Sequence, residues 1–348
     1  MKATTIYGAR DVRLEDQPDP VIKAPTDAIV KVVAACVCGS DLWYYRGDNA
    51  VKEPMRIGHE FIGIVEEVGS EVRSLSPGDF VIAPFMYSDN NCPHCRVGIQ
   101  SACVTGGMWG APDRDGLMAD GGQGEYVRIP LADGTLVATR GTPDAAMLPS
   151  LLALSDVMGT GWHAAVAARV KEGDTVVVVG DGAVGLSGVL AAAQMGADRV
   201  IAMSRHEARQ QIARTFGATD VIAERGEAGE AEVLELTGGI GADAVLECVG
   251  TGQAMTTALK VARPGATVGY VGVPHGVELP VRKMFSRNVG VAGGVAPVRQ
   301  YLPALRDDVL SGQINPGLVF DLELPLDKVA EGYAAMDERR AIKTMLRP

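Results

Sequence analysis

The sequence lacks the features that would mark it for a membrane or a nucleic acid. No uninterrupted apolar stretch reaches the ~18 residues needed to span a bilayer, and Met1 to Arg10 contain no apolar core of a secretory signal. There is no basic run, and the formal net charge is −11. An acidic chain of this kind is a poor partner for nucleic acid or an anionic membrane. We therefore expect a cytoplasmic protein with a small-molecule substrate.

Cysteine and aromatic residues are scarce as well. The chain has 6 cysteines in 348 residues, and aromatic residues make up 5%. Cys92, Cys95 and Cys103 nevertheless lie close together, a spacing that in a cytoplasmic chain indicates metal binding rather than disulfides. Glycine is abundant, with 43 residues, which predicts many tight turns and close backbone approaches.

The length of the chain suggests two domains of different character. Residues 1–155 contain many short β-segments separated by turns, the pattern of a small barrel or sandwich. From residue 156 strands and helices alternate, and Thr175–Val179 form a continuous apolar run. This pattern predicts an α/β domain with a parallel, doubly wound sheet over residues 156–295. Residues 296–348 are expected to return to the first domain.

A glycine-rich motif follows the predicted strand at Thr175–Val179. It reads G-x-G-x-x-G and precedes an apolar helix, so its glycines would allow a tight turn and a close approach to a pyrophosphate at the helix N-terminus. Taken alone, the motif also fits an ordinary structural turn, but its place between strand and helix favours a dinucleotide site. The expected cofactor-binding residues are Gly180, Gly182, Ala183, Val184 and Gly185.

The end of the next predicted strand selects the cofactor. An NAD site places Asp or Glu there, on the ribose hydroxyls. This chain has Ser204, Arg205 and His206 at that position, with Arg209 one turn later. A hydroxyl and several cationic groups suit a 2′-phosphate, so NADP(H) is expected in preference to NAD(H). The alternative is that Arg205 and Arg209 are only solvated residues at the start of a helix.

A longer pattern spans residues 58–72, which read Gly58-His59-Glu60-x2-Gly63-x5-Gly69-x2-Val72. It resembles the signature of the zinc-containing alcohol dehydrogenases of the medium-chain dehydrogenase/reductase family. Cys38-Gly39-Ser40-Asp41 resembles that family's first catalytic ligand segment, and Asp156 resembles the Asp form of its third ligand position. The resemblance extends over essentially the whole chain. It implies a GroES-like β-barrel catalytic domain, with a structural-zinc lobe at about residues 86–108, joined to a Rossmann-type domain.

The resemblance implies two zinc ions. Cys38, His59 and Asp156 would hold a catalytic ion with one position open to substrate, and Glu60 would be a nearby carboxylate or an exchanging ligand. In the structural lobe the family usually has four cysteines, whereas this chain has Asp at the first position. A carboxylate oxygen can bind zinc, so we expect a closed site of one Asp and three Cys residues. Its ligands would be Asp89, Cys92, Cys95 and Cys103.

The resemblance also implies roles close to the substrate. Ser40 is expected to accept a hydrogen bond from an alcohol and to pass on its proton, and Thr160 to pack near the nicotinamide. In the family the relay often continues to a His three residues after this Ser. Here that residue is Trp43, and indole cannot relay a proton. Trp43, Tyr44 and Trp109 are expected to crowd the substrate channel. Each could instead pack in a domain core, which is the interpretation favoured for Tyr44.

The leading hypothesis is therefore an NADP(H)-dependent enzyme that oxidises an alcohol or reduces an aldehyde or ketone. The family forms dimers and tetramers, so a homodimer or homotetramer is expected. One alternative is a zinc-free reductase of the same fold that acts on quinones or enones, and another is a non-catalytic protein that keeps the fold and the nucleotide. The complete ligand set argues against both alternatives.

Overall fold

The chain folds into two compact units. The computed structural model describes residues 1–112, 116, 118–139 and 141–348. The first unit comprises Met1–Asp156 and Pro297–Pro348, and the second comprises Val157–Ala296. These limits lie one residue beyond those expected from the sequence. Among the described residues, we find no helix with the length and apolarity needed to cross a bilayer.

The first unit is built mainly from short strands. Its strands and helices before residue 157 are β1 (Lys2–Gly8), β2 (Asp11–Asp16), β3 (Ala28–Cys36), α1 (Asp41–Arg46), β4 (Met55–Arg56), β5 (Phe61–Val68), β6 (Phe80–Ala83), β7 (Met86–Tyr87), α2 (Pro93–Arg96), β8 (Gly107–Met108), β9 (Ala111–Pro112), β10 (Met118–Ala119), β11 (Tyr126–Ile129), α3 (Ala132–Thr135), β12 (Val137–Ala138) and α4 (Leu148–Ala153).

The second unit alternates strands and helices, as the sequence predicts. Its elements are α5 (Val157–Ala168), β13 (Thr175–Val179), α6 (Ala183–Gln194), β14 (Arg199–Met203), α7 (Glu207–Thr215), β15 (Asp220–Ile222), α8 (Gly226–Leu236), β16 (Ala242–Glu247), α9 (Gly252–Val261), β17 (Ala262–Tyr270), α10 (Val281–Arg287) and β18 (Gly290–Gly293). The chain then completes the first unit with α11 (Val298–Leu310), β19 (Leu322–Pro325), α12 (Val329–Asp337) and β20 (Thr344–Arg347).

A six-stranded parallel sheet forms the centre of the second unit. Its strand order is β15-β14-β13-β16-β17-β18. The chain therefore adds strands first on one side of β13 and then, from β16, on the other, which is the doubly wound arrangement. Val176, Val177 and Val178 are fully buried, because helices cover both faces of a sheet of this kind. The predicted parallel sheet is therefore confirmed.

The glycine loop after β13 is held by close backbone packing. A Cβ at Gly185 would lie 2.1 Å from the carbonyl oxygen of Gly180, so only glycine fits there. Gly180 itself has φ of +119°, a conformation that favours glycine. The first turn of α6 therefore packs directly against the loop that follows β13.

The main sheet of the first unit fixes where the polar residues of its site lie. Its strands follow the order β12-β6-β5-β3-β20-β19, and β11 also pairs with β3. β3 and β5 are antiparallel, with Ala35 opposite Phe61. The last residues of β3 and the first residues of β5 therefore lie side by side at the same end of the sheet. Cys38 follows β3 and His59 precedes β5, so pairing of these two strands brings the two residues together.

Candidate active site

Three side chains from separate segments of the first unit converge on one point. Cys38 Sγ lies 3.8 Å from Asp156 Oδ2, and His59 Nε2 lies 3.6 Å from the same oxygen. Together with a carboxylate oxygen of Glu60, their ligand atoms all lie within 4.8 Å of one another. Zinc bonds of about 2.0–2.3 Å in a tetrahedron separate ligand atoms by about 3.3–3.8 Å. The donor set and its spacing therefore fit a zinc ion.

Asp41 orients the imidazole of His59. Its Oδ1 lies 3.3 Å from His59 Nδ1, and its Oδ2 accepts a hydrogen bond of 2.9 Å from the backbone amide of Cys38. A carboxylate at Nδ1 leaves the lone pair of Nε2 for a metal ion. Asp41 was not among the residues expected to serve the site. Its signal was the Cys-x-x-Asp spacing, which places it in the first turn of α1.

A buried ion pair holds Glu60 beside the ligands. Glu60 is fully buried, and its Oε1 accepts a hydrogen bond of 2.7 Å from Lys343 Nζ. Its Oε2 accepts a hydrogen bond of 3.2 Å from Cys36 Sγ. Lys343 also donates to the carbonyl oxygen of Val37 at 3.2 Å. Nothing in the sequence pattern pointed to Lys343, because β20 pairs with β3 only in the folded protein.

Burial shifts the ionisation of these groups. It raises the pKa of the Cys38 thiol, with a further contribution from Glu60, and it raises the pKa of Glu60 although Lys343 opposes the shift. Burial alone would lower the pKa of His59, but the charges of Asp41 and Cys38 outweigh it and hold the pKa well above its ordinary value. A group of anionic donors around one imidazole is therefore suited to a divalent cation, which favours their deprotonated forms.

The residues expected near the substrate fall into different environments. Ser40 Oγ lies 3.4 Å from His59 Nε2, directly before α1. Thr160 is buried in α5 of the second unit. Trp109 is a core residue that is 5% exposed, with its indole N–H donating to the carbonyl oxygen of Pro84 at 2.9 Å. These contacts favour the alternative for Trp109, packing in a domain core.

The second group of donors lies in the lobe between β7 and β8. Cys92 Sγ is 3.6 Å from Cys95 Sγ and 3.9 Å from Cys103 Sγ, close to the ~3.8 Å between sulfurs around tetrahedral zinc. A carboxylate oxygen of Asp89 completes the set within 4.8 Å. Its Oδ1 accepts hydrogen bonds from the backbone amides of Asn91 and Cys92, each at 2.8 Å. Although burial opposes it, these bonds hold the pKa of Asp89 well below its usual range, so the carboxylate stays ionised.

A cavity opens beside the glycine loop of the second unit. Gly180, Ser204 and Arg205 line it, as does Arg225, which directly precedes α8. The remaining residues predicted to bind the cofactor are not among the lining residues in this unit, all of which the structure describes. They are Gly182, Ala183, Val184, Gly185, His206 and Arg209.

Asp181 in the glycine loop binds side chains of two residues that follow β14. It accepts a hydrogen bond of 3.0 Å from Ser204 Oγ, and its Oδ1 lies 3.3 Å from Arg209 Nη1. The guanidinium of Arg209 is therefore paired with Asp181, whereas Arg205 lines the cavity. The sequence pattern gave no indication of this ion pair, because it joins the loop to a helix of the next strand–helix repeat.

The comparisons with known proteins agree with this geometry. Residues 24–140 match the alcohol dehydrogenase GroES-like domain, and residues 183–308 match the zinc-binding dehydrogenase family. A probable zinc-binding alcohol dehydrogenase of Mycobacterium tuberculosis is 36% identical, over 100% of this chain and 89% of its own length. The NADP-dependent isopropanol dehydrogenase of Thermoanaerobacter brockii is 32% identical, over 96% and 94% respectively.

A solved structure shows the same architecture. The alcohol dehydrogenase from Thermus sp. ATN1 superposes with a TM-score of 0.91 at 31% identity, over 100% of this chain and 99% of that chain. The GroES-like and Rossmann-type domains expected from the sequence are confirmed. The chain belongs to the zinc-containing alcohol dehydrogenases of the medium-chain dehydrogenase/reductase family.

Proposed function

We propose that the protein oxidises an alcohol, or reduces the corresponding aldehyde or ketone, with NADP(H) as the preferred cofactor. The observation that carries the proposal is the convergence of Cys38 Sγ and His59 Nε2 on Asp156 Oδ2, at 3.8 and 3.6 Å. A zinc ion held by this donor set would supply Lewis acidity at a substrate oxygen, and a bound nicotinamide would supply or accept the hydride. Cys38, His59 and Asp156 are the proposed ligands of that ion.

Ser40 is the proposed proton carrier of the reaction. Its hydroxyl lies beside the ligand cluster, 3.4 Å from His59 Nε2. In alcohol oxidation Ser40 Oγ accepts the substrate hydroxyl proton as it gives up its own, and in carbonyl reduction the two transfers run in reverse. Trp43 cannot extend this path, so water or a cofactor hydroxyl completes it. Glu60 adds a fixed carboxylate beside the ligands, and Thr160 packs near the nicotinamide.

The second donor set has a structural role in the proposal. Asp89, Cys92, Cys95 and Cys103 form a complete set of four ligands, which leaves no position for substrate. An ion there would fasten the lobe between β7 and β8. The grouping of free cysteines as ligand sets also supports a reducing, cytoplasmic environment.

The preference for NADP(H) rests on the residues that line the cavity of the second unit. Arg205 and Ser204 stand where a carboxylate would select NAD, and Arg225 adds a second guanidinium to the lining. The relative from Thermoanaerobacter brockii is NADP-dependent by name. The expected result is a higher kcat/KM with NADPH than with NADH, and a loss of that preference in Arg205→Ala. Equal use of both cofactors by the unaltered enzyme would contradict it.

A homo-oligomer is proposed through the second unit. β18 is an edge strand of the parallel sheet. Val281 and Phe285 in the adjacent α10 are 68% and 84% exposed, which is unusual for large apolar side chains. A second copy of the chain would cover both features. Sedimentation should therefore show a dimer or tetramer that dissociates in Phe285→Asp.

The metal-dependent activity is tested by a pair of matched substitutions. Cys38→Ser removes one proposed ligand, and Cys248→Ser removes a cysteine outside both donor sets. We expect two zinc ions in the unaltered protein, one in Cys38→Ser with nearly all alcohol oxidation lost, and two in an active Cys248→Ser. Undiminished turnover in Cys38→Ser would remove Cys38 from the mechanism, and no turnover of any alcohol or carbonyl by the zinc-loaded protein would refute the proposal.

A further inference from the structure

A buried amide joins the segments that carry the metal ligands. Gln123 lies just before β11 and is fully buried. We propose that Gln123 and Tyr333 are positioning residues that hold Asp41, and through it the His59 imidazole, and so set how long the Cys38 site retains its metal ion. The inference rests on the proposed assignment of Cys38, His59 and Asp156 as ligands.

The contacts of Gln123 form a continuous chain that ends at His59. Its Nε2 donates to the carbonyl oxygen of Cys36 at 3.0 Å and to Asp41 Oδ2 at 3.4 Å. Its Oε1 accepts a hydrogen bond of 3.1 Å from the Tyr333 hydroxyl. Asp41 Oδ1 in turn faces His59 Nδ1 at 3.3 Å. One amide therefore links β3, α1 and α12 to the ligating imidazole.

The hydrogen bonds that connect Tyr333, Gln123 and Asp41 are buried. Gln123 and Tyr333 are 0% exposed, and Asp41 is 3% exposed. Water cannot readily replace a lost partner in such a place, so a broken hydrogen bond leaves a buried polar group unpaired. Burial also raises the pKa of Tyr333 well above its ordinary value, which keeps its hydroxyl protonated as a donor. Each member thus has a fixed role as donor or acceptor.

Packing fixes the same amide against the segment that precedes His59. A Cβ at Gly58 would lie 2.4 Å from the Cγ of Gln123, so the side chain of Gln123 occupies the space that a larger residue at 58 would need. The backbone of Gly58 has φ of +100°. Gln123 therefore supports His59 from two directions, through Asp41 and through the backbone of the preceding residue.

Removal of the amide should loosen the imidazole without removing any ligand. Asp41 Oδ2 would keep the backbone amide of Cys38 as a donor but lose the side-chain amide of Gln123. Residues that orient metal ligands through hydrogen bonds typically change metal affinity by about 10–100-fold when they are substituted. The lobe site shares none of these residues and provides an internal reference.

The test measures metal release from the zinc-loaded protein to a coloured chelator in excess. Gln123→Met keeps the length and bulk of the side chain but removes the amide, and Tyr333→Phe removes only the hydroxyl. Tyr45→Phe is the matched control, because the Tyr45 ring packs against Tyr333 at 5.5 Å while its hydroxyl has no hydrogen bond to any described residue. Replacement of the ion by cobalt gives a second readout, since its visible absorption reports the geometry of the ligands.

We expect Gln123→Met to release one of its two zinc ions about 10–100-fold faster and to shift the cobalt spectrum. Tyr333→Phe should accelerate the same release about two- to tenfold, the effect of one neutral hydrogen bond. Tyr45→Phe should release both ions at the rates of the unaltered protein. The ion of the lobe site should leave at the same rate in the unaltered protein and in all three variants.

Unchanged release and spectrum in both Gln123→Met and Tyr333→Phe would overturn the inference, as would equal acceleration of both ions, which indicates general destabilisation. If Gln123→Met fails to fold, Tyr333→Phe decides alone. Two zinc ions retained in Cys38→Ser would instead refute the ligand assignment itself. The two failures are therefore distinguishable.

Discussion

The buried pair of Lys343 and Glu60 allows a sharp prediction about stability. Lys343 Nζ lies 2.7 Å from Glu60 Oε1, and the two side chains are 1% and 0% exposed. Lys343→Met keeps the apolar stem and removes the charge. The carboxylate of Glu60 then retains Cys36 Sγ as a donor but loses the ammonium that faces its Oε1. Removal of one partner of a buried ion pair is destabilising by about 3–5 kcal/mol.

The assay is calorimetric unfolding after a chelator has removed the metal ions, so that no zinc charge compensates the Glu60 carboxylate. For a folding unit of about 200 residues, each kcal/mol lowers the midpoint by about 2–4 °C, so Lys343→Met should lose about 6–20 °C. Glu60→Gln combined with Lys343→Met should recover most of the loss, because no unpaired charge remains. A cycle of these variants separates the pair from the packing of each side chain.

Lys260→Met is the matched control. Its ammonium also lies 2.7 Å from a carboxylate, that of Glu230, but its side chain is 50% exposed. Solvent screens such a contact, so the midpoint should change little. If Lys343→Met and Lys260→Met give the same small change, or if the double variant is no more stable than Lys343→Met, then burial does not govern the pair and the reasoning is refuted.

Three further predictions address the proton carrier, the lobe and a buried carboxyl group. Ser40→Ala should lower kcat about 100-fold or more in steady-state assays with its zinc content unchanged, whereas Ser40→Thr retains a hydroxyl and should keep most of the rate. Asp89→Ala should contain one zinc ion fewer by elemental analysis, and Asp89→Cys should contain the full number; equal content in both would show that Asp89 is no ligand. Glu247 accepts the amides of Val249 and Gly250, yet burial raises its pKa, so the folded state binds its proton more tightly than the unfolded state does. Stability is therefore lost as pH rises above the ordinary value, and Glu247→Gln should gain on the unaltered protein in urea unfolding from about pH 4 to pH 8; a constant difference would contradict this sign.

Local patterns determined the two-domain plan, the glycine loop and the types of ligand. The apolar run at Thr175–Val179 predicted a strand that is buried on both faces, and the structure confirms it. The spacing of Cys92, Cys95 and Cys103 indicated a metal site because ligands that are close in sequence can meet without a tertiary partner. Cys38, His59 and Asp156 were assigned through a family resemblance, which carries positions that spacing alone does not.

Contacts between distant segments were decided only by the tertiary structure. Lys343 reaches Glu60 because β20 pairs with β3, and Tyr333 reaches Gln123 because α12 packs against β20. Arg209 was expected to face a phosphate but is paired with Asp181. A sequence specifies which charges and hydrogen-bonding groups are present. Which of them become partners depends on how strands register and helices pack, and burial then decides how strongly each pair acts.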